Sequence, residues 1–369
     1  MTTAKHFLIF LLSAWLLSSC KTELKIEPMT DGEAIQYAKD LETKIRNGRL
    51  AKSESFLDQE VFALEVAKAL SEKNQDAYIK EIKKALREKQ LDKEFLKQIA
   101  ADGSAYKFVR QYKEKDRHHM IFRYYSDEGL NYHDFELVKR NGQVRVADIY
   151  IYLSGEKMSK SLATIFNSFF ENKASNKQVD EFAKNLTKMK SLFVRQKYKE
   201  AKELFASLPS NVRREKIFQI IHLQICAQMS NEIYMEAISE FESLYGADPS
   251  AQLVMFDGYL MKEDFQKSLT ALDHVDKAVQ DPFLNYFRGL VYKQMEQEKT
   301  ATPYFEKLCR DLPDFEDGVI ELIANYIDTD QKAKATKLLE DFKHNTAFDQ
   351  TKLENIRILY PGFASQVEE

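Results

Sequence analysis

The chain has 369 residues, of which 54 are Lys or Arg and 58 are Asp or Glu, so its formal net charge is −4 at pH 7. Acidic and basic residues are interspersed, and a nucleic-acid partner, which requires a basic face, is therefore not expected. Only three cysteines are present, which excludes a disulfide framework, and the length allows two domains that fold on hydrophobic cores.

The first twenty residues have the pattern of a targeting signal. A basic start precedes an apolar run over 7–17 that is too short to cross a bilayer, and the run ends in Leu-Ser-Ser before Cys20. This pattern resembles the lipobox of bacterial lipoproteins. The resemblance implies a signal peptide over 1–19, a lipid on Cys20 and a mature chain anchored to a membrane. The alternative is an ordinary signal peptide with an incidental cysteine.

The lipobox resemblance also implies a place in the cell envelope. Because Lys21 and not Asp follows the cysteine, outer-membrane placement is favoured, and the sequence does not encode which way the protein faces. Residues 20–30 are predicted to form a tether. The chain has no Gly-rich phosphate loop, no Cys-x-x-Cys pair and no His-Glu-x-x-His. No cofactor, metal site or catalytic residue is therefore predicted.

Residues 31–155 show the pattern of an α+β domain. Apolar residues first recur at helical spacing and then, after Gly103, alternate with period two. Asn141-Gly142 between two alternating runs predicts a two-residue hairpin. We therefore predict helices followed by a four-stranded antiparallel meander. The predicted helices cover 33–46, 55–70 and 75–89, and the strands cover 106–113, 118–125, 130–139 and 143–153.

The hairpin register predicts a polar pocket on one face of the meander. With Asn-Gly at the tip, Leu137 faces Val146 and His133 faces Tyr150. Helices before a curved meander resemble the cystatin-like or ketosteroid-isomerase-like cone folds. An imidazole beside a carboxylate in an apolar pocket suits acid/base chemistry, and the alternative is a buried pair that is mutually satisfied. The predicted pocket residues are Tyr124, His133, Asp148 and Tyr150.

From residue 182 onward the chain repeats itself every 31 to 36 residues. The clearest copy is Gly289, Tyr292, Ala301, Phe305 and Pro313, and its spacing resembles the tetratricopeptide repeat. The resemblance implies five helix pairs over 182–349, preceded by a helical bridge over 156–181 and followed by a capping helix and tail over 350–369. The alternative is an unrelated helical bundle. The small-residue positions of the five copies are Ala201, Ala237, Ser268, Ala301 and Ala335.

The same resemblance implies a binding groove on the concave face, formed by the first helix of each repeat. This face is mostly apolar and suits an extended peptide, a helix or another domain. The alternative is that the N-terminal domain or the last helix fills the groove. The predicted groove residues are Phe193, His222, Cys226, Met229, Leu253, Leu260, Met261, Phe283, Tyr286, Leu290 and Lys293.

These features predict a non-enzymatic scaffold that holds other envelope proteins or peptides at the membrane. One alternative is a small-ligand-binding or weakly catalytic module in the N-terminal domain. The second is a subunit of outer-membrane assembly machinery, where lipoproteins with about five such repeats occur. The large N-terminal domain departs from that pattern.

Overall fold

The computed structural model describes residues 24–47, 55–70, 105–126, 129–170, 176–345, 353–361 and 363, together with single helical residues between 79 and 99. The predicted signal peptide and Cys20 lie outside these residues. Within the described part of the chain, no helix is both long enough and apolar enough to span a membrane.

Two helices open the N-terminal domain. Helix α1 (Asp31–Arg46) begins with a capping box between Thr30 and Glu33, and α2 (Gln59–Ala69) begins where Asp58 accepts the backbone N–H of Val61. Both caps satisfy N–H groups that a helix start leaves without a partner. The chain before α1 is also packed on the domain, because the backbone N–H of Glu27 donates to the carbonyl of Lys139 at 2.8 Å. The part of the predicted tether around Glu27 is therefore packed against the N-terminal domain.

The helices are followed by one antiparallel sheet. Its strands lie in chain order, and the sheet has five strands where four were predicted, because a two-residue β5 follows the meander. Asn141 and Gly142 have φ values of 50° and 71°, as a primed hairpin requires. The strands are β1 (Ala105–Glu114), β2 (Arg117–Ser126), β3 (Gly129–Arg140), β4 (Gln143–Ile151) and β5 (Glu156–Lys157).

A β-bulge corrects the predicted register of the last hairpin. Leu137 pairs with Val146 as predicted, but Glu136 then pairs with Asp148, so Ala147 has no residue opposite it. His133 consequently faces Ile151 and not Tyr150. The extra residue of a bulge moves the residues that follow it to the other face of the strand. Asp148 and Tyr150 therefore lie on the face opposite to the predicted one.

One face of the sheet forms the core of the N-terminal domain. Its aromatic and aliphatic side chains, including Phe122 and Phe135, pack with residues of α1, α2 and α3 (Met158–Phe170). Phe135 is fully buried, and its ring lies 5.9 Å from that of Phe56, which precedes α2. The helical face is therefore largely apolar, and the charged residues of the sheet centre, such as Arg123 and Asp134, lie on the opposite face.

The rest of the chain is a solenoid of antiparallel helix pairs, which bears out the predicted fold class. Equivalent turns recur inside the pairs, with left-handed φ values of 58° at Gln196, 58° at Glu263, 56° at Glu296 and 59° at Asp330. Repetition of one turn geometry marks a repeat array. The first helices are α4 (Asn176–Val194), α7 (Lys216–Ala227), α9 (Gln252–Met261), α11 (Leu284–Gln294) and α13 (Glu316–Asp328). Their partners are α5 (Tyr198–Ala206), α8 (Asn231–Tyr245), α10 (Phe265–Val279), α12 (Glu298–Asp311) and α14 (Lys332–Lys343). A short α6 (Ser210–Arg213) and a terminal α15 (Leu353–Leu359) complete the set.

The small-residue positions lie where the paired helices touch. Ala201, Ala301 and Ala335 are fully buried, and a Cβ atom on Gly289 would lie 2.4 Å from the Cε1 atom of Phe305. Cβ atoms do not approach other atoms this closely. Glycine is therefore required where α11 crosses α12.

We expect Gly289→Ala to lower the free energy of unfolding by about 1–3 kcal/mol, because the fully buried ring of Phe305 would have to shift to admit the methyl group. Gly32→Ala is the matched control, since the nearest atom to its new Cβ would be 3.9 Å away. Urea denaturation of both variants measures the difference. Equal effects of the two substitutions would show that the α11–α12 crossing tolerates a methyl group.

The polar face of the sheet docks on the edge of the solenoid where one repeat connects to the next. Nη1 of Arg123 in β2 donates to both carboxylate oxygens of Asp281 at 2.9 Å, and Asp281 lies between α10 and α11. The ring of Tyr125 lies 4.9 Å from that of Phe283, in the same connection as Asp281, and 5.9 Å from that of Phe315, which lies between α12 and α13. The two parts of the chain thus share a continuous, partly charged interface.

Candidate functional site

Three of the predicted groove residues are covered by the sheet. Leu253 lines a cavity beneath the sheet, Phe283 contacts Tyr125, and Tyr286 lies close enough to Tyr125 to interact with its hydroxyl. Burial raises the pKa of the Tyr286 phenol. The N-terminal domain therefore occupies the part of the groove nearest the first turns of α9 and α11.

Most of the remaining groove residues pack between helices. His222 stacks on Phe205 with ring centroids 4.4 Å apart, and burial lowers its pKa. No described residue forms a hydrogen bond with its Nδ1. Lys293 pairs with Glu321 at 2.7 Å. Met261 ends α9 and is half-buried. Buried Cys226 and half-buried Phe193, Met229, Leu260 and Leu290 belong to the apolar clusters between neighbouring helices.

The predicted pocket of Tyr124, His133, Asp148 and Tyr150 is wrong. His133 and Tyr124 remain together on the helical face, with ring centroids 6.1 Å apart. Asp148 and Tyr150 lie on the opposite face, because of the bulge at Ala147, and line a different cavity. The imidazole and the carboxylate that were expected to act together are thus separated by the sheet.

His133 is a satisfied, neutral core residue. Its Nδ1 lies 3.2 Å from the hydroxyl of Tyr106, and its Nε2 lies 3.2 Å from the amide nitrogen of Asn131. The amide oxygen of Asn131 already accepts two backbone N–H groups, so its nitrogen donates to Nε2. Burial without a counter-charge lowers the pKa of His133 to about 3.

A cavity of about 310 Å³ lies between the polar face of the sheet and the third repeat. The solenoid side of this interdomain cavity contains Ser250, Leu253, His274 and Val275. The sheet side is polar and aromatic, and its main residues are Tyr112, His119, Asp134, Glu136, Asp148 and Tyr150.

A chain of three polar groups runs along the sheet side of the interdomain cavity. The hydroxyl of Tyr112 donates to one oxygen of Asp134, and the other oxygen lies 3.1 Å from Nδ1 of His119. The rings of Tyr112 and His119 stack 4.7 Å apart. Tyr112 therefore has its phenol pKa raised by burial and by the neighbouring carboxylate.

The other carboxylates of the interdomain cavity differ in their partners. Glu136 pairs with Lys157 at 2.7 Å. Burial raises the pKa of Glu136, but the positive charges of Lys157 and Arg117 outweigh this and keep the pKa below its usual value. Asp148 is fully buried and accepts the hydroxyl and the backbone N–H of Ser159 at 2.5 and 3.2 Å. Burial raises the pKa of Asp148 to about 6 despite these hydrogen bonds.

Sequence reasoning missed the pair of His119 and Asp134, although the signal was present. Adjacent His118 and His119 must point to opposite faces of β2, and His118 indeed contacts the carbonyl of Met29 on the helical side. His119 then shares the solenoid-facing side with the acidic residues of β3, because Ile121 pairs with Asp134. Among the described residues, no group of three potential metal ligands is close enough to hold an ion.

Sequence and structure comparisons give little further information. No protein-family model and no curated protein sequence matches the chain. A thermophilic TPR protein of Thermus thermophilus is similar in structure to 49% of this chain and over 98% of its own length, with 14% sequence identity and a TM-score of 0.33. The helix pairs and their repeated turns remain the basis for the repeat assignment.

Proposed function

We propose that this protein is a non-enzymatic scaffold that binds other proteins or peptides through its repeat solenoid. The main support for this proposal is the array of helix pairs. The first helices of neighbouring repeats lie side by side and form a long, partly apolar surface that suits an extended or helical partner. Met261 and its neighbour Leu260 are half-buried at the end of α9 that lies away from the covered first turn. This surface is the proposed partner site.

We further propose that the scaffold is held in the cell envelope by a lipid on Cys20, and outer-membrane placement is favoured. The lipobox-like residues before Cys20 support this anchor. An anchor raises the effective concentration of partners on one membrane, which suits an interaction protein. A subunit of outer-membrane assembly machinery would be a specific case of such a scaffold.

The partner site is tested by Met261→Glu. We expect this substitution to reduce capture of envelope partners by the purified full-length protein about tenfold or more, because a buried charge without a counter-ion opposes apolar contact. Partners captured from solubilised membranes are quantified by mass spectrometry.

Met235→Glu is the matched control, because Met235 is also half-buried but lies on α8, a second helix of its repeat. We expect it to leave capture unchanged. If both variants capture the same partners as the wild type, the surface at Met261 is only internal packing. Circular dichroism melts show that each variant is folded.

A further inference from the structure

The interdomain cavity has the size and place of a small-molecule site. It is bounded by the sheet on one side and by α9 and α10 on the other, and its volume is about 310 Å³. Pockets of this size hold small organic ligands and occur preferentially between domains. Neither the repeat groove nor the proposed partner site explains its polar lining.

The lining carries an excess of negative charge. Among the described residues, four carboxylates, Glu114, Asp134, Glu136 and Asp148, line the cavity together with one ammonium group, that of Lys157. Lys157 is paired with Glu136, and within the described residues no Lys or Arg forms an ion pair with Asp148. Buried carboxylates that lack a counter-ion are costly, so a cation in the cavity is stabilised and an anion is repelled.

His119 supplies an unused hydrogen-bond acceptor. Its side chain is 6% exposed and lines the cavity. The carboxylate of Asp134 can only accept, so Nδ1 carries the proton that is shared with it. In the neutral imidazole Nε2 then has a lone pair, and no hydrogen bond from the described residues reaches it. A ligand that fills this position has to bring an N–H or O–H donor.

Aromatic rings complete the lining. Tyr150 and Tyr152 meet edge to face with centroids 5.0 Å apart, and Tyr112 stacks on His119. Aromatic faces attract alkylammonium groups. Three cations just outside the lining already have partners. Arg110 lies over Tyr112 and donates to the carbonyls of Val279 and Ala278. Arg117 lies 3.7 Å from Glu136, and Lys216 pairs with Asp248.

We propose that the interdomain cavity binds a small organic molecule that carries a protonated amine, which donates to Nε2 of His119 while Asp134 and Asp148 balance its charge. The alkyl part of the ligand lies against the tyrosines and Leu253. This site is separate from the proposed partner site.

Titration calorimetry of the mature protein with pentylamine and cadaverine tests the proposal. Pentanol and pentanoate are neutral and anionic probes of matched length. We expect saturable binding of at least one amine, at least about tenfold tighter than either control, because only the amine carries both a charge and a donor. Failure of both amines to bind, or equal binding of an amine and pentanol, would overturn the proposal.

Three variants locate the binding. His119→Gln and His274→Lys are each expected to weaken amine binding about tenfold or more, the second by placing a cation on the solenoid side without touching Asp134. Glu340→Gln, an exposed carboxylate on α14, is the control and should bind as the wild type does. If His274→Lys and His119→Gln, both folded by thermal melts, bind the amine unchanged, the ligand is elsewhere and the assignment is wrong.

Discussion

Asp281→Asn is expected to lower the free energy of unfolding by about 3–5 kcal/mol, because it leaves the buried guanidinium of Arg123 without its counter-ion. Asp281 is 3% exposed and accepts both contacts of the Arg123 guanidinium at 2.9 Å. It also accepts the hydroxyl of Tyr132 and the backbone N–H of Phe283. One carboxylate thus joins β2, β3 and the start of α11. Urea denaturation measures the loss.

Asp264→Asn is the matched control for this prediction. Asp264 also precedes a helix and pairs with Lys267 at 2.9 Å, but the pair is exposed, and such pairs contribute at most about 1 kcal/mol. If Asp281→Asn costs no more than Asp264→Asn, the Arg123 contact does not hold the sheet on the solenoid.

Two buried groups should give opposite pH dependences of stability. The pKa of His133 is about 3 in the fold against 6.5 as the ordinary value, so the unfolded chain binds more protons between these values and stability is lost as the pH falls below 6.5. The pKa of Asp148 is about 6 in the fold against 3.8 as the ordinary value. The folded chain therefore binds more protons between these two pH values, and stability is lost as the pH rises through 6. In the wild type the two effects largely cancel between pH 4 and 6.

Single variants separate the two contributions. Between pH 7 and 5 we expect Asp148→Asn to lose about 2 kcal/mol more stability on acidification than His133→Gln/Asp148→Asn, since one pKa unit corresponds to about 1.4 kcal/mol. His133→Gln alone should instead gain about 1 kcal/mol on acidification relative to the same double variant. Guanidinium denaturation at both pH values provides the free energies. Parallel pH dependences in all variants would contradict the burial of these groups.

Local sequence signals identified much of the architecture. The Asn141-Gly142 tip fixed the pairing of Leu137 with Val146, because a two-residue hairpin leaves no freedom in the adjacent register. Gly289 and Phe305 identified the helix crossing, because a missing Cβ and a large ring are complementary in shape. These features depend on residues close in sequence or on a fixed repeat spacing.

The candidate site was not predictable in the same way. The bulge at Ala147 leaves no signature in the composition of β4, yet it moves Asp148 to the other face of the sheet. The pairing of His119 with Asp134 follows from strand parity, but its position in a cavity depends on the docking of the solenoid through Asp281. Contacts between residues more than one hundred positions apart are set by packing of the whole chain.

In the proposed function, the solenoid surface at the end of α9 binds partner proteins while the lipid on Cys20 holds the chain at a membrane. A photocrosslinking amino acid placed at position 261 in intact cells tests this most directly, with position 235 as the control and Cys20→Ser as the unanchored form. We predict discrete crosslinked proteins from position 261, none of them shared with position 235, and their loss when Cys20 is replaced. Identical adducts from both positions, or adducts that persist in full without Cys20, would contradict an anchored scaffold.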